Sequence, residues 1–201
     1  QWFVARTRLA APLRELVSPS QAEPIAGASA GATIELGERV FVGGDDMTLI
    51  GNAPHAVIAA ELVNPARPDA VARAQAILAG YGAATCVDAR AAVECARRFR
   101  AYVQERFAPE QICVEFPIEH ALPDGRRVRG WIDVVLKTAA GCVVIDHKSS
   151  PRPRNEWRQE ALSHSGQLQA YRSALTAAGE SVVACAIHFP ISGGLVFVEG
   201  L

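Results

Sequence analysis

Two turn signals, Pro123-Asp124-Gly125 and Thr138-Ala139-Ala140-Gly141, constrain this chain more than any other feature. Each contains a glycine, which supplies the positive φ that tight turns demand. Residues 128–136 lie between them, alternate in polarity and are rich in β-branched side chains, the signature of a strand. With residues 112–121 and 142–147 they form a three-stranded meander. A hairpin centred on 139–140 sets Asp133 opposite Asp146. A hairpin centred on Asp124 sets Glu115 opposite Asp133. Directly opposed residues in an antiparallel pair lie about 4.5–5.5 Å apart on one face. Lys148, two residues beyond Asp146, returns to that face. Three carboxylates and an amine therefore gather on one patch.

Like charges this close repel, and burying them unpaired costs several kcal/mol. A divalent cation relieves the repulsion, and oxygen ligands without cysteine select a hard ion, Mg²⁺ or Mn²⁺, over zinc. Acids and a lysine around such an ion suit hydrolysis of a phosphodiester. The competing reading is a surface ladder in which Lys148 offsets two acids. It is disfavoured because Asp133 and Asp146 follow apolar strand cores, Trp131-Ile132 and Val143-Val144-Ile145. His55 could complete a coordination shell as a neutral imidazole. Gln167 and Tyr171, four apart on one helix face, could orient a phosphate or a DNA strand.

The chain has 201 residues, half of them hydrophobic and one fifth charged, which suits one α/β domain with an attached arm. The cysteines, at 86, 95, 113, 142 and 185, form no CxxC pair, so reduced core thiols in a cytoplasmic protein are expected. No apolar run reaches membrane-spanning length. The net charge of −1 is no footprint for nucleic acid. Local charge is more suggestive: Arg129, Arg152, Arg154 and Arg158 lie near the acidic patch in sequence and could bind phosphates. The Gln start suggests a piece of a longer protein, and the absence of a GxxxxGK[ST] loop places any ATP-driven motor elsewhere.

Residues 1–47 read as an irregular linker or wrapping arm, with a short strand near 35–42. Residues 48–201 read as the functional domain. Helices are expected over 48–63, over 70–78 after an Asp69 cap, and after an Asp88 cap to about 107. A long helix over 156–178 follows the meander, and two strands, 182–189 and 195–198, close the chain. This order gives an α/β sandwich with a mixed central sheet flanked by helices.

In order and spacing, these residues resemble the PD-(D/E)XK nuclease superfamily, with its restriction-endonuclease-like core. The resemblance spans about residues 48–175 and rests on His55, Glu115 before Pro117, Gly130-Trp131-Ile132-Asp133, Ile145-Asp146-His147-Lys148 and Gln167-Leu168-Gln169-Ala170-Tyr171. It is nearest to the RecB/AddA-type nuclease domain at the C-terminus of bacterial helicase–nucleases. Asn52 stands where that branch often has Thr, and Pro54 adjoins His55. The resemblance implies that Asp133, Asp146, His55 and the His147 carbonyl ligate the metal, that Glu115 supports them, and that Lys148 orients the attacking water. It implies that Gln167 and Tyr171 shape the site. It further implies a DNA substrate, a UvrD/Rep-type helicase in the same longer chain, a second helicase–nuclease subunit, and a role in double-strand break repair and recombination. Some relatives carry an iron–sulfur cluster on four cysteines; no cysteine cluster follows Tyr171, so none is expected. Two other readings compete: a catalytically silent DNA-binding or docking module of the same fold, and a stand-alone CRISPR-associated or phage exonuclease.

Overall fold

The computed structural model describes residues 15–40, 42–43 and 47–201. Its centre is a seven-stranded mixed sheet. The strands are β1 (Leu16–Val17), β2 (Ser29–Glu35), β3 (Gln111–Ala121), β4 (Arg127–Thr138), β5 (Gly141–His147), β6 (Val182–Phe189) and β7 (Gly194–Glu199). The helices are α1 (Met47–Val63), α2 (Ala70–Gly80), α3 (Ala89–Phe107), α4 (Trp157–Ser163) and α5 (Ser165–Ala177). The spatial order is β1-β4-β5-β6-β7-β2, with β3 also pairing β4. This is the α/β sandwich with a mixed central sheet expected from the element order, and it is the restriction-endonuclease-like core that the resemblance implies. Among the described residues, no helix is long and apolar enough to cross a membrane.

The β3–β4–β5 meander adopts the register its turns dictate. Val134 opposes Ile145 and Val135 opposes Val144. On the other side, Val114 opposes Val134 and Phe116 opposes Ile132. β5 is buried from Cys142 onward because it is sandwiched on both faces, which is why Val143-Val144-Ile145 does not alternate. The connection through α4 and α5 returns the chain to β6, parallel to β5, a pairing that needs a long crossover of this kind. One face packs on α4 and α5 through Ile132, Val144, Leu168 and Tyr171. The other packs on α1 and α3 through Ile58, Phe99, Val134 and Ile145. α2 rests against α1 and α3 rather than on the sheet.

Four expectations are corrected. The stretch read as an irregular arm contributes β1, parallel to β4, and β2, antiparallel to β7. The short strand expected near 35–42 lies earlier, at Ser29–Glu35, and Val42 makes an isolated bridge to Val87. Asp69 does not cap α2 with its side chain; its carboxylate is taken by the Arg67 guanidinium at 2.7 and 2.8 Å. Asp88 does cap α3, accepting from the Ala91 amide at 2.8 Å. The long helix expected over 156–178 is broken at His164 into α4 and α5.

The break at His164 lets the start of α5 meet the segment between β1 and β2. Ser165 Oγ accepts from the Ile25 amide at 2.9 Å. Gly166 lies so close to residues 22–23 that a Cβ would overlap the carbonyl oxygen of Glu23. Gly166→Ala should therefore cost about 1–2 kcal/mol, because the obstacle is backbone and not a flexible side chain. Urea denaturation of the variant checks this, and an unchanged midpoint would contradict it.

Candidate active site

The site forms where β4 and β5 part. β5 pairs with β4 only as far as Val134↔Ile145. Beyond that point β4 runs on with β3, while β5 ends at His147. A fork of this kind leaves backbone groups without ladder partners and gives side chains from two strands a shared opening. Polar groups fill it. The His147 amide donates to Asp133 Oδ2 at 2.6 Å. The Tyr171 hydroxyl donates to the Trp131 carbonyl at 2.9 Å.

A second irregularity lies in the same place. Val114↔Val134 and Phe116↔Ile132 keep one register, yet the rung between them, Glu115 and Asp133, is skipped. Ile132 packs in the α5-side core and Val134 in the α1/α3-side core, although strict alternation would put them on one face. Both strands thus exchange faces together at this rung. Glu115 takes up the distortion with φ +48°, in the left-handed region. A non-glycine residue held there costs about 1–2 kcal/mol. Glu115→Gly should raise stability by about 1 kcal/mol and at the same time weaken the site, because the carboxylate is lost. Thermal melts alongside a cleavage assay test this; a less stable variant would contradict the strain argument.

Asp133 and Asp146 sit on the two branches. Asp146 is 2 % exposed. Its Oδ1 accepts from Gln167 Nε2 at 3.0 Å, and Lys148 Nζ stands 2.8 Å from Oδ2 as an ion pair. Gln167 Nε2 also donates to the Tyr171 hydroxyl at 2.7 Å, and its Oε1 accepts from Lys148 Nζ at 2.9 Å. One amide therefore ties together the acid, the lysine and the tyrosine that pins β4. Burial raises the Asp146 carboxyl above its ordinary range, with Asp133 adding to the effect and Lys148 opposing it. Burial likewise lifts Asp133 to about 6, against the His147 amide and Lys148 and with help from Glu115. Both acids are poised for a cation to relieve them.

His55 projects from α1 with Nδ1 3.8 Å from Asp133 Oδ2. Pro54 does not sit in the first turn of α1 but inside the helix. Ser149 Oγ, one residue past Lys148, donates to the Gly51 carbonyl of α1 at 2.7 Å. This bond ties the helix that carries His55 to the end of β5. Burial lowers the His55 pKa to about 4, so its ring is neutral near pH 7. Its Nε2 is buried without a hydrogen-bond partner among the described residues. His55, Glu115 and Asp133 line one cavity of about 450 Å³ with Asn52 and Tyr81.

Fit to a divalent cation can be judged from these donors. Two desolvated carboxylates and a neutral imidazole with an unpartnered nitrogen are the donor types a hard cation takes. Among the described residues, no three His, Cys, Asp or Glu side chains already stand at ligating distance from one another. Lys148 supplies the positive charge at Asp146 instead. The donor chemistry fits a cation whose arrival would draw these side chains together.

The candidate phosphate contacts are placed less uniformly. Arg129 is exposed on β4, with no ion pair to it among the described residues. Arg152 pairs with Glu156 at 3.1 Å and Arg154 with Glu35. Arg158 donates to the Gly31 carbonyl at 2.8 Å and to the Ala30 carbonyl, so it anchors β2. Arg154 and Arg158 thus hold residues 29–35, Arg152 pairs with the acids of the α4 segment, and Arg152 and Arg154 line a cavity with Glu35 and Trp157, apart from the one that holds Asp133.

His188 is a site neighbour that sequence reasoning missed. It faces His147 across the parallel β5–β6 pair. The two Nδ1 atoms lie 3.0 Å apart, so one ring donates to the other. Phe99 stacks on His188 with centroids 4.3 Å apart, and His55 and Phe99 meet His147 edge-on. Burial pushes His147 well below the usual histidine range and His188 down to about 3. The His147 imidazole thus supports the site from inside, and only its backbone remains a candidate ligand.

A restriction-endonuclease-like fold with two acids and a lysine at forked strand ends defines a class, proteins that act on phosphodiester backbones. A family model agrees: residues 16–199 match the PD-(D/E)XK nuclease superfamily, and the chain belongs to it. The match begins at β1, so the early strands are part of the family's domain. Nucleases of this superfamily generally use divalent metals. No curated protein matches the chain.

Proposed function

We propose that this chain is a Mg²⁺- or Mn²⁺-dependent deoxyribonuclease domain of the RecB-like branch, hydrolysing phosphodiester bonds in DNA. The observation that carries this reading is the buried Asp146, held by Gln167 and paired with Lys148 beside Asp133. A buried carboxylate in a polar network at the mouth of a fork has no role in packing that an apolar residue would not fill as well.

Asp133 and Asp146 would hold the cation, with His55 and the His147 carbonyl as further ligands. When bound, the ion supplies Lewis acidity and neutralises charge on the scissile phosphate. The rest falls to the chain's own groups. Lys148 Nζ orients the attacking water and offsets phosphate charge. Gln167 keeps that ammonium aimed, since its Oε1 accepts from Nζ. Tyr171 holds β4 through the Trp131 carbonyl, so Asp133 keeps its distance from Asp146. Glu115 supports Asp133 from the neighbouring strand.

The wider setting follows from the resemblance to helicase–nucleases: a helicase in the same longer chain, a second subunit, and work on broken DNA ends. The second reading is a silent DNA-binding module, favoured by Lys148 already pairing with Asp146. Incubation with labelled single- and double-stranded DNA plus Mg²⁺ or Mn²⁺, beside Asp146→Ala and Lys148→Ala controls, decides between the two. Cleavage lost in both variants supports the nuclease. Cleavage that survives both removes the site assignment, and DNA binding without cleavage favours the silent module.

A further inference from the structure

Trp131 is 55 % exposed although it sits inside β4, two residues before Asp133. A tryptophan is seldom left so open without a use. Its direction can be deduced. Val128 and Ile132 face the α5-side core, and Gly130 lies under the Pro19 ring. Arg129 and Trp131 therefore point the other way, toward the side of α1 and its His55. Both are exposed there. Trp131 follows Arg129 by one two-residue step, about 7 Å along the strand, and Asp133 opens on the same side, where it meets His55 of α1 and lines a cavity with it. A cation, an aromatic ring and a candidate ligand acid thus form one row leading into the site. A second exposed aromatic, Tyr81 at 44 %, lines the cavity that holds His55, Glu115 and Asp133. The Trp131 backbone is fixed by the Tyr171 hydroxyl, so the ring stands on a rigid base.

We propose that Trp131 is a stacking platform for an unpaired base, with Tyr81 as a second face at the cavity rim and Arg129 meeting the adjoining phosphate, so that the site takes single-stranded DNA. The inference rests on the nuclease reading and adds the substrate class. Aromatic faces bind bases of any sequence, but only bases not already stacked in a duplex. Alternating cation and aromatic along one strand suits a charged backbone with apolar bases, and it fits a protein partner less well.

The test uses the full chain in Ca²⁺ and fluorescence anisotropy, with oligo-dT, an abasic oligomer of equal length and charge, and a blunt duplex. Oligo-dT is expected to bind about tenfold more tightly than the abasic oligomer. Trp131→Ala should erase most of that difference while leaving abasic binding alone, and Trp131→Phe should restore it. In a Trp2→Phe background, oligo-dT should also quench tryptophan emission, and adding Trp131→Phe should lose that quench; Trp157 is buried and cannot supply it. This second readout stands even if the alanine variant folds poorly. Equal wild-type affinity for oligo-dT and the abasic strand overturns the proposal, as does equal loss on both in Trp131→Ala. Base-dependent binding untouched by Trp131→Ala overturns it too, and leaves the nuclease reading intact. Failure to bind any DNA removes both.

Discussion

Asp146→Asn should lower DNA cleavage by about 10³-fold or more and leave the metal-free protein no less stable than wild type. The two effects have separate causes. Cleavage falls because a carboxylate that would hold the cation is gone, and the cation's share of transition-state stabilisation is several kcal/mol. Stability holds because the native carboxylate is desolvated and unfavourable as a charge. Asparagine keeps the shape and one acceptor for Gln167 Nε2. Lys148→Met is the informative partner. It also removes cleavage, but it leaves Asp146 buried without its ammonium, which costs about 3 kcal/mol where the carboxylate is ionised. The double variant Asp146→Asn/Lys148→Met should regain most of that loss. Cleavage rates and denaturant midpoints for the four proteins check the cycle. A strongly destabilised Asp146→Asn would show that the carboxylate is structural.

His188→Phe should change the pH dependence of stability by about 2–3 kcal/mol between about pH 7 and pH 4.5. Burial holds His188 down to about 3, against 6.5 for an ordinary histidine. The unfolded chain therefore takes up a proton that the folded chain refuses. The stability this gives the neutral ring is complete above pH 6.5 and is lost as pH falls toward 3, at about 1.4 kcal/mol per pH unit. Phenylalanine has no proton to take and can still stack on Phe99. The gap between wild type and variant should thus shift in favour of the variant as pH falls. Asp133, raised to about 6, acts in the opposite sense on both proteins and cancels in the comparison. Denaturant titrations at the two pH values measure the gap. A gap independent of pH would mean that His188 is not held neutral by its burial.

What sequence alone revealed depended on how locally each feature is determined. The β3–β4–β5 register was legible because each hairpin is set by a turn of a few residues, and those turns contain Gly125 and Gly141, both at positive φ. That register brings Asp133, Asp146 and Glu115 to one end of the meander, but not onto paired rungs as expected: β4 and β5 part after Val134↔Ile145, and the Glu115–Asp133 rung is skipped. The exchange of faces at Glu115 was not legible. It arises where two strands turn together, and nothing in Val114-Glu115-Phe116 announces a left-handed residue. His188 was hidden for another reason: it meets His147 only through a parallel pairing across the α4–α5 crossover, whose register no turn records. Residues 16–35 misled because their small and turn-prone residues look like a linker. β2 is held instead by β7 and by Arg158, a contact more than a hundred residues away in sequence.

The packing of residues 16–35 bears on how the chain can be cut. β2 closes the sheet on its β7 side, and β7 is buried along most of its length. A truncation starting at the helical region would strip that cover. β7 would then present a bare row of amides and carbonyls with Leu195, Val196 and Val198 exposed beside it, a template for intermolecular strand pairing. Such a fragment would keep every residue of the site and still be prone to self-association.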